Sequence, residues 1–355
     1  MFQRKYLIFL AVLVLVVLAW TAGWFWLADK LRNDIASFVE AQAENRIVLN
    51  WSGMKIAGFP IRFDTSFATP QGRWTKVDRS IFWRGADTSI RLFTEGPGIV
   101  SFSAPGQHSF RVLENDNDLL IDINAEVFKG RLEFDKSGRA VSLRGRAAPF
   151  QASIDGGPVV TIAETAFDWG HKNGESSKGE IYPDTAGDTL SVVLEQIDLT
   201  ALLIKTGVLK TLGTKIETLS SRVALHGSLN PSAINLENLT RWRDAGGTLE
   251  VETFKLAWGA LHVAGKGTMT VDQALQPVGS FSAQVAGLDK LLNLMESRGQ
   301  IGRQRAAIAR IALAVLTRTP ASGGPPEATV PITIQDRMLS IGPIPLMKLD
   351  HIVWS

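Results

Sequence analysis

The chain has no cysteine, which excludes disulfides, thiolate nucleophiles and cysteine-based zinc sites, and agrees with an oxidising compartment without proving one. It also lacks an excess of either charge: 37 Lys and Arg stand against 35 Asp and Glu, a net of +2. No block of like charge forms a tail, so the basic footprint that nucleic-acid binding needs is missing. Tyrosine is scarce, two residues against ten tryptophans. No Gly-x-Ser-x-Gly elbow occurs, which leaves serine hydrolysis without a positive sign. The five histidines, His108, His171, His226, His262 and His351, stand singly. They read as surface residues, with a His226–His262 pair across neighbouring strands as the one conceivable metal site. No cofactor, metal or catalytic residue is assigned.

What is present in quantity is hydrocarbon. Tyr6 to Ala28 is an apolar run with no charge, long enough at ~1.5 Å per residue to cross a ~30 Å hydrocarbon layer as one helix. The run is longer than a signal peptide core, and its small residues have bulky neighbours: Trp20 lies two before Ala22 and Trp26 two before Ala28. It therefore reads as a retained transmembrane anchor over residues 1–28. Trp20, Trp24 and Trp26 mark the far interface, while Arg4 and Lys5 hold the N-terminus in the cytoplasm. The rest then faces outward, which in a Gram-negative cell is the periplasmic side of the inner membrane.

Residues 29–46 read as a juxtamembrane helix, with Leu31, Ile35, Phe38 and Val39 at helical spacing. From Ile47 the period becomes two. Lys55 to Asp64 reads as a strand, a break at Gly58–Pro60, and a second strand with Ile61 and Phe63 on one face. Ile121, Ile123, Ala125 and Val127 alternate with Asp122, Asn124 and Glu126, a sheet with one dry and one wet side. Leu132 and Phe134, the turn Lys136-Ser137-Gly138, then Val141 and Leu143 make a hairpin. The polar stretch Gly170 to Gly187 divides a first β-rich half, 47–190, from a second, 191–355. In the second half helices are expected near 198–212, 231–244, 288–297 and 303–317, the second with Asn230 as N-cap and Pro231 at the first helical position. Leu249 and Val251 alternate with Glu250 and Glu252, and the chain closes on a hairpin of Ile332, Ile334, Leu339 and Ile341. Tryptophans near strand ends, Trp83, Trp169, Trp258 and Trp354, recur at intervals that suggest a duplicated β unit.

The chemical motifs are weak. Ser52-Gly53-Met54-Lys55 and Lys205-Thr206-Gly207 imitate two penicillin-recognising signatures, but the Ser-Asp-Asn element is missing. Gly265-Lys266-Gly267 has the wrong spacing for a phosphate loop and reads as a hairpin turn. Asp116 and Asp118 lack the glycine and glutamate of a calcium loop. Glu250 and Glu252 read as a solvated face. Arg303, Arg305, Arg310 and Arg318 surround a stripe of Ile308, Ile311, Ala312, Val315 and Leu316. The stripe is taken to pack on the sheet, with contact to anionic headgroups as the alternative.

Three passages carry a resemblance: Gly58-Phe59-Pro60-Ile61-Arg62, the block from Trp242-Arg243-Asp244-Ala245-Gly246-Gly247 to Trp258-Gly259, and the closing Asp336 to Leu346 hairpin. Together they resemble an uncharacterised proteobacterial family of membrane-anchored envelope proteins, a domain of unknown function. The second half more distantly resembles AsmA-type envelope proteins, which implies an open curved sheet whose apolar trough carries lipid.

The fold expected is mainly β with a few helices (α+β): an N-terminal transmembrane helix, then a large curved antiparallel sheet or two β lobes with helices over the apolar face. Three functions remain open. The first is a membrane-anchored periplasmic protein that binds or transfers lipid or another amphiphile, with the inner membrane as partner through residues 6–28. The second is a structural or interaction protein with a fully packed sheet, and the third an envelope hydrolase. An uncovered apolar trough, a filled core with exposed aromatics, or a cleft of converging carboxylates and histidines would separate them.

Overall fold

The computed structural model describes residues 2–44, 46–75, 79–92, 98–114, 117–171, 186–202, 211–227, 229, 235–319 and 325–354. The protein is mainly β, 56% strand, with four helices set out among the described residues, and its strands form large open antiparallel sheet. Two compact units are present: Met1–Arg139 with Ala152–Gly157, and Ala140–Gln151 with Pro158–Ser355. The polar stretch taken as the boundary between halves, 172–185, lies outside the described residues; its flanking strands pair with each other inside the second unit.

The first unit opens with α1 (Phe2–Glu44), one unbroken helix, long and apolar enough to cross a membrane. Its strands are β1 (Ile47–Asn50), β2 (Gly53–Ala57), β3 (Phe63–Ala68), β4 (Gln71–Thr75), β5 (Arg79–Gly85), β6 (Thr88–Leu92), β7 (Ile99–Ser103), β8 (Gly106–Glu114) and β9 (Asn117–Phe134). Two antiparallel runs, β1-β4-β5-β8 and β2-β3-β6-β7, converge on opposite halves of β9. Alternation sorts their side chains. One face carries Ile56, Thr65, Ile90 and Phe102 in register, and the other Asp64, Arg91 and Ser101.

The exit of α1 packs on that dry face. Trp24, Ala28 and Phe63 are buried together, with Leu31, Ile56 and Leu92 against them. The Trp24 and Phe63 rings stack at 5.2 Å and 6°, and the indole N–H of Trp24 donates to the Arg62 carbonyl at 3.3 Å. Ile61 does not share a strand face with Phe63. It sits in a turn where the amides of Ile61 and Arg62 both donate to Gly58 O, at 3.2 and 3.1 Å, and it is 80% exposed. The Phe59–Pro60 bond is cis and Gly58 has φ +103°, backbone that an extended strand does not accommodate.

Two smaller features of this unit carry predictions. Thr65 is 2% exposed and its hydroxyl has no partner. Thr65→Val keeps the shape and removes the orphan, so stability should rise by about 1 kcal/mol in thermal or urea unfolding. The turn after β9 is closed on Asp135, whose carboxylate accepts from the Ser137 hydroxyl at 2.6 Å, the Arg139 amide at 3.0 Å and the Ser137 amide at 2.8 Å. The Ser137 hydroxyl, then the Arg139 amide, hold its pKa down to about 2. Because the folded value lies below the ordinary ~3.9, this contribution is complete above that value and disappears as pH falls through the folded one. Asp135→Asn should accordingly flatten the acid limb of the stability profile below about pH 4 and leave its shape near neutrality unaltered, as read by urea unfolding.

Strand β10 (Ala140–Ile154) crosses the division between units. The second unit continues with β11 (Val160–His171), β12 (Ala186–Asp198), a single 3-10 turn at Thr200–Leu202, β13 (Lys215–His226), α2 (Leu236–Asp244), β14 (Thr248–Trp258), β15 (Leu261–Val271), β16 (Pro277–Ala286), α3 (Leu288–Ser297), α4 (Arg303–Leu316), β17 (Thr317–Arg318), β18 (Glu327–Gln335), β19 (Met338–Ile341) and β20 (Ile344–Lys348). Strands β11 to β16 follow one another as an antiparallel meander, and β18, β19 and β20 extend it. Of the helix expected at 198–212, residues 203–210 lie outside the described residues.

Helix α2 starts later than Pro231. Its N-cap is Asn235, whose side-chain oxygen accepts the Asn238 amide at 2.9 Å, a bond that satisfies one of the free amides of the first turn. Residues 230–234 lie outside the described residues. The helix closes one end of the sheet, where Leu239, Trp242 and Leu275 are buried against Leu225, Val271 and Trp354.

Tryptophan abundance has a structural use. The indole N–H of Trp20 donates to Pro60 O, that of Trp242 to His226 O, that of Trp258 to Gly213 O and that of Trp354 to Leu275 O, at 3.1, 2.8, 2.9 and 2.7 Å. The single donor of each indole reaches backbone distant in sequence, and the ring of Trp242 is buried as well, a combination that tyrosine and phenylalanine do not offer in the same geometry.

Candidate functional site

The pairing registers of the second unit place apolar side chains in continuous rows. One row runs Trp169, Leu190, Val223, Val251, Gly267, Phe281, Ile332 and Ile341 from β11 to β19. A second runs Leu194, Leu219, Leu256, Val263, Val285 and Ala328. The opposite face carries Thr189, Ala224, Glu250, Thr268, Ser280, Thr333 and Ser340 in one row, and Val193, Ser220, Lys255, Ala264, Gln284 and Thr329 in the next. One face is hydrocarbon and the other polar.

Among the described residues, the side chains along the middle of the hydrocarbon face keep part of their surface exposed. Leu190 is 46% exposed, and Val192, Leu194, Leu219, Val223, Phe254, Leu256, Val263 and Phe281 are all only half-buried. The buried residues here are small, Ala283 between the two rows and Ala328 in the second. Neighbours on the same pleated face screen the flanks of each side chain, whereas a second layer would bring their tips near zero exposure. From β11 to β18 six interstrand steps of about 4.8 Å make this face about 29 Å across.

Helices cover only part of it. Helix α2 sits at the Leu225 end. Helices α3 and α4 pack on each other: Leu292 and Ala306 are buried, and the Arg310 guanidinium donates to Asn293 Oδ1 at 2.7 Å and pairs with Glu296. The stripe of α4 expected to pack on the sheet is open at Ile308 and Ile311, which are 63% and 69% exposed. Ala306, on the same helix, is fully buried.

Glycine serves this face by absence. A Cβ on Gly267 would lie 2.3 Å from Cδ1 of Phe281, its partner across β15–β16, and one on Gly145 would lie 2.2 Å from Cζ of Phe167. Gly265-Lys266-Gly267 is thus the interior of β15, not a hairpin turn, with Lys266 on the wet face opposite Ser282. The glycines make room for aromatic rings lying flat over the strand.

The titratable residues form structural pairs. His108 is not a surface residue: it is 5% exposed, its Nδ1 accepts from the Trp83 indole at 3.4 Å and its Nε2–H donates to Ala104 O at 2.8 Å. Since an indole only donates, the imidazole tautomer follows. His226 pairs with Glu250 on the wet side, and His171 pairs with Asp188 on the parity of Trp169 and Leu190, at the end of the dry face, each at 3.0 Å. His226 and His262 do not meet, because His226 is opposite Thr248 while His262 is opposite Ala257, at the other end of the same strands. Among the described residues no group of three or more His, Asp or Glu gathers to hold a metal ion.

Glu252 bonds Arg222, so the Glu250 and Glu252 carboxylates both have basic partners. Asp118 is held below the usual carboxylate range by the Arg111 hydrogen bond, and Asp198 by the Thr200 hydroxyl and amide. Ser52 bonds Ala68 O and Thr69 in a bend, and Lys205-Thr206-Gly207 and Asp116 lie outside the described residues. The arrangement offers a hydrocarbon surface and no assembled reactive centre among the described residues.

A family described as "Uncharacterized protein conserved in bacteria (DUF2125)" matches residues 24–350. No curated protein matches the chain.

Proposed function

We propose, starting from the fact that the chain belongs to the uncharacterised bacterial family DUF2125, that it is a membrane-anchored envelope protein whose second unit binds a lipid or similar amphiphile on its uncovered apolar face. The observation that carries this reading is the half-buried hydrocarbon of β11 to β18, over which the described residues form no second layer. Water on such a surface is costly, and each methylene of an acyl chain laid there contributes ~0.8 kcal/mol. The polar face with its ion pairs stays solvated.

Retention of α1 as the anchor is supported by its contribution to the core. Cleavage after Ala28 would remove Trp24 and Ala28 from the cluster with Phe63. With Arg4 and Lys5 ahead of the span, the β units face the periplasm from a bacterial inner membrane. The likeness to AsmA-type proteins belongs to the same proposal, since an open trough for acyl chains is what that likeness implies. The exposed Ile308 and Ile311 of α4 favour a second reading, an interaction surface for a protein partner.

The test is displacement of a fluorescent fatty acid from the purified full chain, with mass spectrometry of the extracted lipids. Saturable displacement and a co-purified phospholipid above the annular background are expected. Neither signal would remove the lipid reading and leave the interaction role.

A further inference from the structure

We propose that the cleft between α1 and the Gly58–Arg62 turn is a site for one anionic phospholipid, with an acyl chain between helix and turn and the phosphate at Arg62 and Arg91. The inference takes from the proposed function only that α1 spans a bilayer, and it concerns the first unit alone.

The cleft has a volume of about 630 Å³, and Val16, Ala19, Gly23 and Leu27 of the helix face Pro60 and Ile61 of the turn across it. Its two walls are tied together: Trp20 donates to Pro60 O at 3.1 Å and Trp24 to Arg62 O at 3.3 Å. It therefore exists before any ligand arrives. Ile61 is 80% exposed, and Phe59, edge-on to Trp24, is still 47% exposed. Because one wall is the spanning helix, the medium at the open side is hydrocarbon, and an acyl chain is the occupant that both walls accept.

The charge stands beside the cleft lining, on the other face of β3 and β6, at the residues adjacent to Phe63 and Leu92. Asp64 accepts from Arg62 Nε at 2.8 Å and from Arg91 Nε at 2.7 Å, and both arginine side chains remain 50% exposed. One carboxylate between two guanidinium groups leaves a net positive charge and unspent donors, the match for a phosphate. Arg62 lies in sequence between Ile61 and Phe63, both of which line the cleft. Indole rings at the same level suit an interfacial depth, where headgroup and chain part.

The experiment uses the full chain in nanodiscs of phosphatidylcholine doped with phosphatidylglycerol carrying a diazirine on its acyl chain, irradiated and mapped by peptide mass spectrometry. Adducts should concentrate in residues 16–27 and 59–63. Gly23→Leu fills the cleft without a clash at Cβ, since no atom lies within 4 Å of that position. It should lower labelling about tenfold, the factor for two methylenes denied burial. Arg62→Gln and Arg91→Gln should each reduce the preference for phosphatidylglycerol over an equally labelled phosphatidylcholine by about fivefold, the contribution of one basic residue at an anionic surface.

Labelling spread evenly along α1 and indifferent to Gly23→Leu, or equal labelling by both lipids, overturns the site. Labelling that survives in a variant unable to displace fatty acid from the second unit leaves this site standing and removes only the proposed function. Release of the chain from membranes by alkaline carbonate would remove both.

Discussion

Trp24→Ala should cost the first unit about 3–5 kcal/mol of stability, the range for emptying a well-packed aromatic site. Trp24 is 9% exposed, stacked on Phe63 and edge-on to Phe59 at 5.5 Å and 88°. Its removal leaves a void between helix and sheet, strips Ala28 and Phe63 of their cover, and leaves the Arg62 carbonyl without its indole donor. Denaturant unfolding in mild detergent, followed through the sheet signal, reads the loss. Trp24→Phe keeps part of the stack and loses the hydrogen bond, so about 1 kcal/mol of destabilisation from the bond alone is expected beyond the repacking. Trp26→Ala is the control: at 67% exposure it should change stability by no more than about 0.5 kcal/mol. Equal losses at Trp24 and Trp26 would mean that α1 is not docked as described.

The second large effect is a test of parity in the second unit. Leu219 lies on the dry face beside Leu194 and Leu256, while its neighbour Ser220 lies on the wet face beside Val193 and Lys255. An aspartate at 219 would set an unpaired carboxylate against an acyl chain. That costs several kcal/mol, so Leu219→Asp should weaken fatty-acid binding about 100-fold. Ser220→Asp places the same charge across from Lys255 and should leave binding unaltered. Because the dry face is open to water when empty, Leu219→Asp should still fold, at a loss of about 1 kcal/mol. Binding that falls equally in both variants, or in neither, would show that the apolar rows are not the binding surface.

Much of the sheet was legible because a pleat has a period of two. The alternation of Leu249 and Val251 with Glu250 and Glu252 reports the two faces directly, and the closing hairpin pairs Ile332 with Ile341 and Ile334 with Leu339. The misreadings share a cause as well. Glycine was read as a turn at Gly265-Lys266-Gly267, whereas Phe281 lies over that strand and demands the missing Cβ. Alternation with Phe63 puts Ile61 on a strand, yet the turn at Gly58 throws it outward. The N-cap was sought at Asn230, and Asn235 holds the helix instead. Periodicity assigns the apolar stripe of α4 to the sheet, whereas Ile308 and Ile311 stand in the open and Ala306 is the buried position. A composition offers no way to tell which of two apolar partners a helix will choose.

The site was half legible. The Gly58–Arg62 step and the interfacial tryptophans were each recognisable as features of the chain, separated by some forty residues, Trp20 to Pro60. Nothing in either passage announces that indole donors would seek those particular carbonyls. Order along the chain therefore determined the local periods: an apolar helix without charge, strands with a dry and a wet side, glycine and asparagine where the backbone must turn. The tertiary structure alone decided what stands opposite what, and so which hydrocarbon is covered. Burial depends on the partner a surface meets in space, and that partner comes from residues remote in sequence.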